Sequence, residues 1–289
     1  MAPARALAVD VGGTKLAAGV VDGAGAVVRS ARAPTPSGDA EALWAAVAGL
    51  VEEVAAGDEV VCGVGCGGPM APGGDLVSPL NIPAWRDFPL RARLAALTGL
   101  PVHVDNDAKA LALGEGWRGA AAGERNFLAM VVSTGVGGGI VLDGRLLDGA
   151  GGNAGHIGHV IVVPGGRRCG CGALGCLEAE ASGLAIRDAT GRPAEEALPE
   201  VVERTGTLVG RAVASVSNLL DLGLTVVAGS VALGFGAPFF AAAQAELDRS
   251  CRLSFSAGAR IVPAGLGAGG PLVGAAAVGW RNHGAKVLA

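Results

Sequence analysis

The chain has 289 residues, of which 51% are hydrophobic and 17% charged, and its formal net charge is −4. This composition excludes a disordered chain and leaves enough apolar side chain for one large domain or two smaller ones, each with its own core. The small negative charge supplies no field to gather nucleic acid or anionic lipid, so neither is expected as a partner and small molecules are.

The start does not read as a secretion signal, because only Arg5 precedes a short apolar stretch and Asp10 ends it. From Leu7 to Ala33 the pattern is strand, glycine turn, strand, "DGAG" turn, strand, which predicts three consecutive antiparallel strands. A helix follows, with Leu43, Val47, Leu50, Val51 and Val54 at helical spacing and Asp39 as its cap. Next come a strand at Val60–Val64, a long Pro/Gly-rich loop through Trp85, a helix near Leu90–Leu97 and a strand at Val102–Val104.

The same grammar returns. Phe127–Ser133 and Gly138–Leu142 are β-rich runs around "STGVGGG", followed by turns, a helix over Leu198–Leu220 and a strand at Leu224–Ala228. A second lobe on the plan of the first is therefore expected. The lobes are residues 1–108 with 272–289, and 109–271, with a cleft between them and the last helix packing back on the first lobe. Two uncharged stretches, Leu222–Ala245 and Ile261–Trp280, approach the length of a membrane span, but glycine turns interrupt each, and a cytoplasmic protein is expected.

Six cysteines divide into two sets. Cys62, Cys66 and Cys251 lie in apolar surroundings and read as small core hydrophobes, whereas Cys169, Cys171 and Cys176 crowd one loop. In a reducing compartment that clustering reads as metal binding, not disulfides. With 50 glycines, chance matches to the dinucleotide fingerprint arise at "GVGCGG", "GCGALG" and "GLGAGG"; none opens a clean strand-to-helix unit with the right acidic follower, and all three are discounted. "DVGGT" and "VSTGVGGG" differ, because each sets a hydroxyl residue among glycines at the end of a β-run, where backbone N–H groups can converge on an anion.

"DVGGTK", "DNDA", "STGVGGG", "GHIGH" and "CGCGALGCLE", in this order, resemble the ROK family of sugar kinases and sugar-responsive repressors across nearly the whole chain. The cysteine segment is the most specific part. The resemblance implies an α/β, two-lobed, actin-like or hexokinase-like ATPase fold with ribonuclease H-like lobes. It assigns Gly12, Gly13 and Thr14, with the adjoining Lys15, to one ATP-phosphate loop, Thr134, Gly135 and Gly137 to the other, and sets Asp10 facing Mg2+ and its waters.

Phosphoryl transfer to a sugar hydroxyl needs a base beside that hydroxyl. Asp107 reads either as a helix N-cap or as that base; the resemblance selects it as proton acceptor with Asn106 beside it as a hydroxyl ligand. Lys109 stands where many relatives have Asn, one helical step beyond the base, and a modest effect is expected. His159, Cys169, Cys171 and Cys176 form an H-x9-C-x-C-x4-C set of one imidazole and three sulfurs, suited to tetrahedral zinc, with buried thiols as the alternative. Its match to the family's zinc loop implies structural Zn2+, with the second ring nitrogen of His159 free to reach a sugar hydroxyl and Glu178 as a sugar carboxylate.

Two loops add weaker features. "CGGPMAPGG" departs from the family's Gly-Pro-Gly loop, and Asn81 matches a position that touches sugar in relatives. "AGSVA" and "LGAGGPL" are expected to frame the adenine pocket. His156 replaces the Glu carried by most glucokinases of the family; a neutral imidazole offers one donor and one acceptor, so the sugar preference changes at that hydroxyl. Resemblance to bacterial N-acetylmannosamine kinases in "GHIGH", "VSTGVGGG", "GSV" and "LVGAAAVGW" implies ATP-dependent phosphorylation of N-acetylmannosamine at its 6-hydroxyl, with glucokinase as the near alternative. A non-catalytic sugar-sensing regulator is the reading from another class; the first strand begins within ten residues, which leaves no room ahead of it for a DNA-reading module. Relatives imply a homo-oligomer, dimer or tetramer.

Overall fold

The structure is a computed structural model that describes residues 4–289. Strands β1 (Arg5–Val11), β2 (Lys15–Asp22) and β3 (Val27–Pro34) precede α1 (Ala40–Val54), β4 (Glu59–Cys66), α2 (Leu90–Thr98), β5 (Val102–Asn106) and α3 (Asp107–Arg118). The chain continues through β6 (Phe127–Val132), β7 (Val136–Leu142) and β8 (Arg145–Leu146). Helices α4 (Leu177–Ala181), α5 (Gly183–Thr190) and α6 (Pro199–Leu220) follow, then β9 (Leu224–Ala228), α7 (Ser230–Phe235), α8 (Ala237–Ser250), β10 (Arg260–Pro263) and α9 (Gly270–Asn282).

Two five-stranded sheets result, ordered β3-β2-β1-β4-β5 and β10-β9-β6-β7-β8. In each, the first strand pairs antiparallel with its hairpin partner and parallel with the strand that arrives after a helix. Reversing the second order aligns β6 with β1, β7 with β2, β9 with β4 and β10 with β5, so the repeated plan anticipated from the sequence is present. The hairpins need only tight turns, whereas each parallel pair needs a helical crossover.

By contacts the chain divides into two compact units: residues through Gly123 with Leu146–Ala154 and Gly265–Ala289, and Glu124–Arg145 with Gly155–Ala264. The division differs from boundaries at 108 and 272 chiefly in α3, which belongs to the first unit. The reason is its packing on α9: a Cβ on Gly114 would stand 2.9 Å from the Gly274 Cα, so the two helix backbones touch through glycines.

Alternation along the first sheet separates its faces. Leu7, Val9, Val11, Leu16, Cys62 and Val64 join α1, Trp85 and Phe88 in one core, where the Trp85 and Phe88 rings stack at 4.2 Å. Asp39 caps α1 as anticipated, its Oδ1 accepting from the Ala42 N–H at 2.8 Å. The opposite face receives α9. There the backbone of α9 leaves no space for a side chain at Gly63, where a Cβ would collide with the Ala275 carbonyl. The glycine of "GVGCGG" is thus a packing residue. Among the described residues no helix is long and apolar enough to cross a membrane. The two suspect stretches become β9, α7 and the start of α8, and β10, a loop and α9.

Candidate active site

In the first unit the sheet register builds a charged row. Asp10 pairs with Ala17, which pairs with Arg32; on the other side Asp10 pairs with Gly65, which pairs with Asp105. Residues in register on neighbouring strands share a face, and the small Ala17 and Gly65 keep the row open. Asp107 lies just beyond, at the first position of α3. A Cβ built on Gly65 would be 3.7 Å from both Asp10 Oδ1 and the Asp107 Cα, which places the two acids at one spot above β4. Burial, and then the Asp107 carboxylate, push Asp10 up to about 7 against the pull of Lys15 and Arg32.

The cap of α3 is Asn106, not Asp107: Asn106 Oδ1 accepts from the Ala108 N–H at 3.0 Å. Asp107 also accepts from that N–H, at 2.8 Å, and its side chain is exposed to solvent. The two side chains thus share the Ala108 N–H, with Asn106 at the cap position and Asp107 one residue on. Asp107 is thus an exposed carboxylate on the first turn of α3, where the helix N-terminus favours its ionised form, beside a second carboxylate.

The sequence reading passed over the partners of Lys109. This lysine is 3% exposed and reaches Asp105 Oδ1 at 3.1 Å, Asp148 Oδ1 at 2.6 Å and the Gly152 carbonyl at 3.1 Å. Burial works upward on Asp148, but the bond and charge of Lys109, with Arg281, hold it below the ordinary carboxylate range. A lysine four residues after an aspartate was visible in the sequence; a second partner 39 residues away was not.

The β1–β2 turn, Gly12–Thr14, is pinned by the Gly12 N–H to the Lys15 carbonyl (3.0 Å) and by the Thr35 hydroxyl to the Gly12 carbonyl (2.7 Å). Lys15 itself is the first residue of β2. A Cβ on Gly13 would lie 2.8 Å from the Asn81 Cβ, so the structure brings Asn81 onto this turn. Gly13, Thr14, Lys15 and Asn81 are all exposed.

In the second unit the β6–β7 turn is tighter than the sequence suggested. The Ser133 N–H donates to the Gly135 carbonyl at 2.9 Å, and pairing resumes at once with Val132 opposite Val136. Gly137 consequently lies within β7, opposite Val131, and only Thr134 and Gly135 remain in the turn. The turn is tied to its surroundings: the Gly183 N–H donates to the Ser133 carbonyl (2.7 Å), Ser133 Oγ bonds Ser230 Oγ (2.9 Å), and Glu178 Oε2 accepts from the Val136 N–H (3.0 Å). Glu178, on α4, thus has a structural partner at the first residue of β7. His156 is exposed, and its ring lies 5.9 Å from that of His159 at 24°.

His159, Cys169, Cys171 and Cys176 converge, with all four donor atoms within 4.8 Å of one another. His159 Nδ1 faces Cys169 Sγ at 3.6 Å, and Cys171 Sγ faces Cys176 Sγ at 3.7 Å. Ligands at about 2.3 Å on a tetrahedron stand roughly 3.7 Å apart, so the spacing of these two pairs and the sulfur-rich donor set fit a divalent cation of zinc's size. The loop is preformed by hydrogen bonds: the Cys169 N–H donates to the Ala173 carbonyl (2.8 Å) and the Gly172 N–H to the Cys169 carbonyl (2.9 Å). Glu180, missed from the sequence, anchors its base; the buried carboxylate accepts from the Arg167 N–H at 2.7 Å and pairs with Arg204 at 2.5 Å. Burial works upward on Glu180, and these donors outweigh it and lower its pKa.

Comparison with known proteins identifies the family and the fold. The ROK family matches residues 6–281. The chain is 42% identical over 181 residues to a glucokinase of Streptomyces coelicolor, a match that covers 62% of this chain and 57% of that protein. It is 38% identical over 247 residues to an N-acetylmannosamine kinase of Escherichia fergusonii, covering 80% of this chain and 84% of the relative. Among solved structures, a ROK family glucokinase from Streptomyces griseus in complex with glucose and AMPPNP superimposes with a TM-score of 0.85 at 31% identity, covering 96% and 99% of the two chains. With that likeness, the repeated sheets constitute the two-lobed α/β architecture of hexokinase-like proteins. The match runs from the first strand to the last helix and takes in both hairpin turns, the acidic strand ends and the cysteine loop, and the chain belongs to the ROK family.

Proposed function

We propose that the protein is an ATP- and magnesium-dependent kinase that phosphorylates the 6-hydroxyl of a hexose, with N-acetylmannosamine as the acceptor. The observation that carries the reading is the exposed Asp107 carboxylate, at the first position of α3 just after its cap Asn106 and beside Asp10. In this reading Asp107 takes the proton of the sugar hydroxyl as that oxygen bonds to the γ-phosphorus, while the bond from phosphorus to the bridging oxygen breaks and ADP leaves. Asn106, Asn81, His156, His159 and Glu178 bind and orient the sugar. Backbone N–H groups of Gly12, Gly13 and Thr14 in the first unit, and of Thr134 and Gly135 in the second, carry the negative charge of the phosphates. Bound Mg2+ supplies further charge neutralisation on those oxygens, with Asp10 as the carboxylate facing it.

In the second unit a structural zinc ion is held by His159 Nδ1 and the three cysteine sulfurs. Four protein ligands leave no position for water, so the metal fixes the loop and takes no part in the chemistry. With Nδ1 committed, Nε2 of His159 is left for the sugar. "AGSVA", whose Ser230 bonds the β6–β7 turn, and "LGAGGPL" serve the adenine.

The acceptor rests on His156. An imidazole in place of a carboxylate supplies a donor toward an acetamido carbonyl, which glucose does not present. Glucokinase activity is the second reading, supported by the Streptomyces relatives. Measuring ADP release with glucose, mannose, N-acetylglucosamine and N-acetylmannosamine tests both. Highest kcat/KM for N-acetylmannosamine is expected, and His156→Glu should move the preference toward glucose. A wild-type preference for glucose removes the His156 argument and leaves the kinase; binding of sugar without turnover of any of the four supports a sensor instead. A homo-oligomer belongs to the same proposal and is checked by light scattering.

A further inference from the structure

Among the described residues Lys109 is the only buried lysine or arginine. Its ammonium has three donors, and three oxygens receive them: Asp105 Oδ1, Asp148 Oδ1 and the Gly152 carbonyl. Asp105 lies two residues before Asp107. The other two oxygens belong to one glycine-rich loop, Asp148–Ala154, whose own hydrogen bonds are the Ala154 N–H to the Asp148 carbonyl (3.0 Å), the Asn153 side-chain amide to the Gly151 carbonyl (2.8 Å) and a long one from the Gly152 N–H to the Gly149 carbonyl (3.4 Å). Gly149 and Gly152 both adopt positive φ, +73° and +78°. Such a segment gains much conformational freedom when released, so few contacts set its conformation, and the buried ammonium makes two of them. By chain continuity the loop leads straight into Gly155 and His156.

We propose that Lys109 is a positioning residue for the sugar: its ammonium, shared by Asp105, Asp148 and the Gly152 carbonyl, locks the Asp148–Ala154 loop to the strand end that precedes Asp107 and so fixes the segment that delivers His156. The kinetic part of this inference rests on the kinase reading. Asp107 stays on a helix capped by Asn106 whether or not Lys109 is present, so the effect falls on sugar binding more than on the chemical step.

The test is Lys109→Met in the full-length protein, read by hydrogen exchange and by kinetics. Faster amide exchange across 148–154 is expected, with a sugar KM raised about tenfold, an ATP KM unchanged and kcat lowered less than about threefold. Lys109→Arg, which keeps the charge, should recover most of the sugar KM. If Lys109→Met does not fold, Asp148→Ala replaces it, because Asp148 is 51% exposed and its removal leaves Lys109 on Asp105; the same changes are expected at smaller size. Arg281→Gln, which removes the other partner of Asp148 at 3.4 Å, should leave both readouts at wild-type values and so exclude an effect through α9. Unchanged exchange in the loop overturns the inference, as does an unchanged sugar KM despite faster exchange. Should the wild type phosphorylate no hexose, the kinase reading fails, and the exchange result alone decides whether Lys109 locks the loop.

Discussion

The two units share a sheet plan and end their central strands differently. In the first, β1 and β5 run out into carboxylates, Asp10 and Asp105, with Asn106 and Asp107 following at once. In the second, β6 runs out into Ser133 and Thr134, and β9 into Gly229 and Ser230. The connections differ as well. Between the third strand and the next long helix the first sheet's chain order has only residues 35–39, while the second's has residues 147–198, of which 147–154 belong to the first unit and the rest, in the second, carry the cysteine loop. One topology thus presents two different sets of side chains, because a strand's end is fixed by the sheet whereas the residues placed there are free to vary. The first unit is marked by apolar burial and close helix approach, while the second also holds the cluster of four His and Cys donors and the buried Glu180 paired with Arg204.

The largest test of that contrast is at the strand end itself. Asp107→Ala should lower kcat by about 10³-fold or more while sugar binding, measured by calorimetry, persists; retained turnover shows that the base lies elsewhere. Next is the metal. Chelation, or Cys171→Ser, should release one zinc per chain and lower Tm by about 10 °C, since a preformed four-ligand site contributes several kcal/mol to folding and ~1 kcal/mol shifts a domain of this size by a few degrees. Hydrogen exchange should rise in the second unit and not in β1, β2 or β4. Uniform loss of protection breaks the distinction between the units.

Gly63→Ala probes the opposite side of the comparison. A methyl group there meets the α9 backbone, and overpacking of this kind costs about 1–3 kcal/mol, read as a lower denaturation midpoint with zinc content unchanged. The smallest effect concerns Asp10. A carboxyl whose folded pKa is raised to about 7 contributes stability that is full at acidic pH, below its unfolded value, and declines as pH rises through 7. The ligand-free protein should therefore lose thermal stability between pH 5 and 8, and Asp10→Asn should flatten that slope. An equal slope in the variant places the titrating group elsewhere.

Much of this was legible beforehand. The β1–β2–β3 hairpins, α1 with its Asp39 cap, β9 and the cysteine set follow from period-2 and period-3.6 patterning, turn residues and ligand spacing, all of them local. The expected strand began at Gly138, with Gly137 in the loop by resemblance; the pairing of Val132 with Val136 starts β7 two residues earlier and takes Gly137 into it. Asn106 and Asp107 are both good caps, and only the backbone geometry at the end of β5 shows which one the helix uses.

By itself the sequence determined the order of elements, the repeat of one plan, the two glycine-bearing turns and the set of four His and Cys donors, because each depends on residues near one another along the chain. Tertiary structure alone decided that α3 and α9 both complete the first unit, that Gly63 serves packing, that Asp10 and Asp107 meet above Gly65, and that Lys109 joins Asp105 to Asp148. Those facts depend on strand register and on the distance between helix axes, which residues far apart in sequence set together and no local pattern encodes.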